Sequence, residues 1–281
     1  MKTSSLIHIT VIILTLVLQV TGQDQPYGSN EQAGKYLDVG DANIYYEVYG
    51  AGKPILPLHG GMFVYIDEYS TYIPILSKNY KVIAIATRGH SKSELGTKPL
   101  SYELFAEDAS KVLQEESNES ASLIGFSDGA IISLVFGAKY PELTNKIVSL
   151  AGGFGSTWFH QEALNSMKEI TGEGLQEKYS EFVTYRKKFM PEPDRWDEFI
   201  EKLNQVNMQS VYITDEEAKS ITSPVLIVGG DKDDYFRAEG FEHMHQTLPN
   251  SQLKILPGYN HLDIITKELV FKETVLPFLT D

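Results

Sequence analysis

The sequence contains no cysteine, so neither a disulfide nor a lipid-anchored cysteine is available and its stability must rest on a packed core. Positive charge is scarce as well: 24 Lys and Arg stand against 38 Asp and Glu, a formal net charge of −14. An acidic surface repels phosphate backbones and anionic lipid, which argues against nucleic acid and anionic membranes as partners. Internal repeats and low-complexity tracts are absent. What is present is 281 residues, 42% of them hydrophobic. That is enough to bury one large α/β core without splitting into separate domains.

One long apolar run occurs, at the N-terminus. Lys2 gives a short basic region, and Leu6 to Val20 follow as an apolar stretch interrupted by His8, Thr10, Thr15 and Gln19. Val20-Thr21-Gly22 offers small residues at the cleavage positions, which leaves Gln23 as the mature N-terminus. The run is short for a membrane span, and no basic stop-transfer cluster follows it. Residues 1–22 therefore read as a cleaved export signal, and the mature chain as secreted or periplasmic with no stable membrane insertion. Asn118-Glu119-Ser120 is a glycosylation sequon, with meaning only in a eukaryotic secretory pathway.

Residues 23–35 are polar and read as an unstructured tether. Tyr36 to Val39 and Asn43 to Tyr49 then form a hairpin across Gly40-Asp41, the second strand alternating as a half-exposed strand does. Pro54 to Leu58, Lys81 to Ala86, Ser120 to Ile124 and Lys146 to Leu150 are apolar strands separated by helical patterns, including Tyr102 to Glu116. Apolar strands alternating with helices indicate a mostly parallel, doubly wound sheet covered on both faces. From Phe154 to Ile221 the patterns are helical only: Gln161 to Ile170, Leu175 to Phe189, Pro193 to Val206 and Asp215 to Ser220. Pro224 to Val228 and Gln252 to Leu256 resume the sheet, and Leu262 to Leu279 closes the chain with a helix. The expected organisation is a core of residues 36–153 and 222–281. A helical cap, residues 154–221, is inserted before the penultimate strand, over the edge where open α/β folds bind ligands.

The chemistry is concentrated at Gly125-Phe126-Ser127-Asp128-Gly129, between an apolar strand and a helix carrying Ala130, Ile131, Leu134 and Val135. A strand that becomes a helix within about three residues must turn sharply. Glycines two before and two after Ser127 remove the Cβ atoms that would collide there. The result is a nucleophile elbow, with an exposed hydroxyl and a free N–H on the next residue. A serine needs a base to take its proton, and the base needs an orienting carboxylate. Of seven histidines, His261 follows the last strand, where a parallel sheet returns a loop towards the elbow. His243 and His245 face different ways and make a poor metal pair. Asp231, Asp233 and Asp234 all follow the strand ending near Gly229, and composition does not separate them. The order Ser, Asp, His suits this fold.

The elbow, His59-Gly60-Gly61, Arg88-Gly89-His90-Ser91-Lys92-Ser93, Gly230-Asp231-Lys232-Asp233 and Asn260-His261 together resemble the α/β-hydrolase superfamily over roughly residues 36–281. The resemblance implies a serine hydrolase with Ser127 as nucleophile, His261 as base and Asp233, third after Gly230, as the orienting acid. It also implies oxyanion donation by the N–H groups of Gly61 and Asp128, although Met62 stands where the family often has proline. Arg88 is expected to be structural, its guanidinium bonding nearby carbonyls. The Ser-Asp-Gly elbow is similar to that of valacyclovir hydrolases, where the aspartate is associated with a substrate ammonium group. The alternative is that Asp128 caps the elbow helix, where negative charge is favourable. Met62, Phe126, Asp128 and Trp158 are the expected substrate contacts.

These observations predict an exported serine hydrolase acting on a small or medium carboxylic ester, with no cofactor and no metal. Amide, lactone, carbon–carbon and perhydrolytic chemistry on the same triad are rivals, as is a ligand receptor on a hydrolase scaffold.

Overall fold

The computed structural model describes residues 27–280 with the exception of Phe63; the export signal expected over 1–22 lies outside the described residues. Eight strands form one sheet: β1 (Gly34–Asp38), β2 (Asn43–Tyr49), β3 (Lys53–Leu58), β4 (Tyr80–Ile85), β5 (Ala121–Phe126), β6 (Thr144–Leu150), β7 (Val225–Gly230) and β8 (Ser251–Leu256). Their spatial order is β1-β2-β4-β3-β5-β6-β7-β8. β1, β2 and β4 pair antiparallel, and every pairing from β4 to β8 is parallel. β5 and β7 are buried along their whole length, as their unbroken apolar sequences require. At the edge, β8 alternates instead.

Helices cover both faces. Tyr102–Glu116 starts at a Ser101 N-cap that accepts the Leu104 N–H, and it packs Phe105, Ala109, Val112 and Leu113 inwards beside the elbow helix Asp128–Lys139. On the other face Tyr69, Tyr72, Ile73 and Leu76 pack with Phe271 and Val275 from the C-terminal segment. Between β6 and β7 the chain leaves the sheet as a run of helices, Gln161–Lys168, Gly172–Lys178, Ser180–Lys187, Trp196–Asn207 and Asp215–Lys219.

Several local expectations need correction. Strand β2 is not half exposed: Tyr45 and Glu47 are as buried as their neighbours. The cause is the segment expected to be a tether. Its residues from Tyr27 onward fold across this face, and the Glu47 carboxylate accepts the N–H groups of Gly28 (2.8 Å) and Asn30 (2.7 Å) and the hydroxyls of Tyr45 (2.7 Å) and Tyr49 (2.8 Å). Four donors satisfy a buried carboxylate that water cannot reach. Helix Leu175 to Phe189 is split at Tyr179, whose backbone (φ −133°, ψ 46°) leaves the helical region. The closing helix is broken at Lys267 and widens into a π-helical turn over Phe271–Val275 just before Pro277. Proline has no N–H to continue the regular ladder, which favours such a break. Arg88 bonds carboxylates rather than carbonyls: its guanidinium, fully buried, pairs with Asp108 (2.6 Å) and Asp41 (2.9 Å).

Candidate active site

The elbow forms at the tip of β5. Ser127 has φ 51° and ψ −116°, a conformation that costs a non-glycine residue about 1–3 kcal/mol and persists because its surroundings fix it. Its N–H is tied to the Leu150 carbonyl at 2.9 Å. A Cβ at Gly125 would overlap the Gly129 carbonyl, and one at Gly129 would overlap that of Leu58. Both glycines are therefore steric requirements of the turn.

The loops after β7 and β8 bring two more groups to this point. His261 Nε2 lies 3.1 Å from Ser127 Oγ, and its Nδ1 lies 2.9 Å from Asp233 Oδ2. The other oxygen of Asp233 accepts the N–H groups of Tyr235 (2.9 Å) and Phe236 (2.8 Å), which holds the carboxylate in place. Its two neighbours have other partners. Asp234 accepts the backbone N–H of His261 at 3.3 Å, and Asp231 accepts that of Gly258 at 2.6 Å. Burial works against a charge on His261. Asp233 beside it, with Asp234 and Asp128 nearby, outweighs that effect and raises the imidazolium pKa above its usual value. The ring is enclosed by Phe126, Tyr235 and Phe236.

A cavity of about 100 Å³ opens in front of Ser127. Gly61, Met62, Phe126 and Asp128 line it, as do Phe159, Met167, Ile170 and Asn207 from the segment between β6 and β7. Trp158 is not brought to it. That ring, at the end of the short turn Ser156–Trp158, stacks on His243 (4.9 Å) with Arg237 over its face. Asp128 begins the elbow helix, so its N–H has no acceptor within the helix. Its carboxylate does not cap that helix. Oδ1 accepts the Tyr102 hydroxyl at 3.1 Å, while Oδ2 is buried without a partner. Burial pushes this carboxyl up to about 6, against its bond to Tyr102 and the neighbouring Asn207 and His261.

Two contributors, Tyr102 and Glu68, carried no signal in the sequence, and His59, legible there only as part of its glycine motif, gains a further role. Tyr102 bonds both Asp128 and Asn207, joining the elbow to the insertion. Glu68 reaches the cavity from the turn Ile66–Tyr69 and accepts the Gly60 N–H at 2.8 Å. His59 lies beneath the same loop, its Nδ1 at 2.6 Å from the Gly60 carbonyl and its Nε2 accepting the Thr87 N–H at 3.0 Å. Long-range contacts of this kind have no periodicity to betray them.

A mostly parallel sheet that delivers a strand-tip serine, an acid and a histidine from the ends of β5, β7 and β8, in that chain order, defines the serine hydrolases of the α/β-hydrolase fold. The chain belongs to the Hydrolase_4 family (serine aminopeptidase, S33), whose model matches residues 53–267. It is 26% identical over 231 residues to the uncharacterized hydrolase YraK of Bacillus subtilis, covering 79% of this chain and 76% of that one. To the carboxylesterase YbfK of the same organism it is 24% identical over 236 residues, 80% of this chain and 79% of the relative. The solved structure of that carboxylesterase (CesB) superposes with a TM-score of 0.71 at 21% identity, covering 99% of both chains. The protein is thus an α/β-hydrolase enzyme. Among the described residues no helix is long and apolar enough to cross a membrane.

Proposed function

We propose that the protein is an exported esterase that cleaves small or medium carboxylic esters through an acyl-enzyme on Ser127. The observation that carries this reading is the continuous hydrogen-bonded line from Ser127 Oγ through His261 to Asp233. In it, His261 Nε2 takes the hydroxyl proton as Oγ attacks the ester carbonyl carbon. The carbonyl electrons move to oxygen, and the N–H groups of Gly61 and Asp128 stabilise that charge, a contribution of several kcal/mol for a pair of aimed donors. Collapse of the intermediate expels the alkoxide, which leaves as the alcohol with the His261 proton. Water, deprotonated by the same nitrogen, then attacks the acyl-serine, and the carboxylic acid departs. Asp233 keeps the proton on Nδ1, so that Nε2 is free to act as base. A cavity of about 100 Å³ suits a compact acyl group. Ser127→Ala should lower turnover of a p-nitrophenyl ester by at least about a thousandfold and abolish labelling by a fluorophosphonate. Near-normal turnover in that variant would remove the assignment.

A second reading concerns specificity. The unpartnered Oδ2 of Asp128, buried at the cavity, favours esters carrying an ammonium group near the carbonyl. Export rests on the apolar run before residue 22. Mass spectrometry of the natural protein should find a chain beginning near Gln23. An intact Met1 in a cytosolic fraction would contradict it.

A further inference from the structure

Gly60 precedes the proposed oxyanion donor, and nothing in its own side chain restrains it. A glycine there is the softest point of the loop. Two groups from outside the loop hold it. The His59–Gly60 peptide is held through its N–H, which donates to Glu68 Oε2 at 2.8 Å. The Gly60–Gly61 peptide is held through its carbonyl, 2.6 Å from His59 Nδ1. His59 Nε2 accepts the Thr87 N–H, so the ring's proton sits on Nδ1 and donates to that carbonyl. Burial keeps this histidine neutral, its pKa pushed down to about 4. Because a trans peptide is planar, fixing the Gly60 carbonyl aims the Gly61 N–H in the opposite direction.

We propose that Glu68 is a positioning residue of this active site: by holding the Gly60 N–H it completes the restraint that aims the Gly61 N–H at the oxyanion. With only His59 in place, the Gly60–Gly61 peptide keeps its carbonyl bond, but the Gly60 N–H loses its acceptor and the backbone of Gly60 loses one of its two side-chain anchors. Glu68 is itself well anchored. The adjacent Tyr69 hydroxyl lies 3.0 Å from the Leu58 carbonyl and 2.9 Å from that of Ile124, at the ends of β3 and β5. On the other side Asp67 pairs with Arg186 of the insertion at 3.2 Å. The turn therefore grips the two strands that carry the Gly60 loop and the elbow.

The groups facing Glu68 are Asp67, Arg186 and Asp128, with Tyr69 and Tyr72 close by. Burial pushes its carboxyl up to about 8. Near neutrality it holds Gly60 as an uncharged acceptor. Once ionised it places a negative charge beside the forming oxyanion and opposes it.

The proposal rests on Ser127 as nucleophile and Gly61 as donor, and the experiment separates the two ideas. Steady-state kinetics on p-nitrophenyl acetate would compare wild type, Ser127→Ala, Glu68→Ala and Glu68→Gln from pH 6 to pH 10, with circular dichroism checking the fold. Glu68→Ala should lower kcat by about 10- to 100-fold at pH 7 while KM stays within about threefold, since one misaimed donor costs up to about 10²–10³. Glu68→Gln should recover most of that kcat, because its amide oxygen accepts the same N–H. It should also lack the decline expected of wild type above about pH 8. Glu68→Ala within twofold of wild type, or equal losses for Ala and Gln, would overturn the proposal. If the Ala variant does not fold, a Gln profile superimposable on wild type would overturn it. Turnover surviving in Ser127→Ala removes the nucleophile reading and this proposal together. Turnover lost there but untouched by Glu68→Ala removes the proposal alone.

Discussion

Asp233 and Asp234 divide one histidine between them: the first holds its ring and the second its backbone N–H. Composition does not distinguish three acids within four positions, because the choice depends on where the loop turns. The N–H groups of Tyr235 and Phe236 make that choice by gathering one oxygen of Asp233. The serine and histidine were legible for the opposite reason, since the elbow's glycines and the last strand's end are local features. Asp128 was legible as unusual and illegible as to role. Its missing cap bond and free Oδ2 make a ligand role testable. Asp128→Asn keeps the shape and the backbone N–H, so an aminoacyl ester should lose about 10- to 150-fold in kcat/KM, matching about 1.5–3 kcal/mol for a charge-assisted bond. A neutral ester of equal size should change little. Equal losses for both esters would leave the carboxylate with a structural task only.

At the scale of elements, the strands were legible to within a few residues because each is an apolar run bounded by turn signals, as β5 and β7 illustrate. The helical insertion was legible as a run of helices, but its attachments were not. One attachment is Arg186 on helix Ser180–Lys187, which pairs with Asp67 at 3.2 Å and lies over the Tyr65 ring at 4.2 Å. Burial raises the Asp67 pKa, against the pull of Arg186. Removing the arginine leaves a buried carboxylate alone, a change worth about 3–5 kcal/mol for a fully buried pair. Arg186→Ala should therefore lower stability by about 2–4 kcal/mol in urea titrations at pH 8. The loss should be smaller at pH 5, where the isolated Asp67 can take up a proton. Equal losses at the two pH values would assign the effect to packing on Tyr65 rather than to charge.

At the scale of the whole molecule, Asp128, Glu68 and His261 act in one direction on stability, while His59, which burial pushes down to about 4, acts in the other and costs stability as pH falls below 6.5. Asp128 is raised from 3.8 to about 6 and Glu68 from 4.5 to about 8, both first by burial. His261 is raised too, with Asp233 and the neighbouring acids overcoming its burial. A raised group binds its proton more tightly in the folded state, so the folded chain holds more protons than the unfolded chain between the two pKa values. Each such group stabilises fully below its unfolded pKa, and that stability is lost as pH rises through its folded pKa. Glu116 acts in the opposite sense. Burial works against its charge, but Lys35, Lys81 and Tyr46 prevail and lower it from 4.5 to about 2, so its contribution is lost as pH falls through that range. A net charge of −14 adds repulsion as the remaining acids ionise. The thermal midpoint should fall from about pH 6.5 towards pH 8.5, the range in which the raised Glu68 and His261 lose their protons and the lowered His59 is already neutral. The double variant Asp128→Asn, Glu68→Gln should match wild type near pH 4.5 and exceed it at pH 8.5, while hydrolysing aminoacyl esters poorly. A site that holds acids against their preferred charge state sacrifices stability for chemistry, and calorimetry across that range measures how much. Wild-type and double-variant midpoints that run parallel from pH 4.5 to pH 8.5 would show that the two acids titrate alike in the folded and unfolded chains.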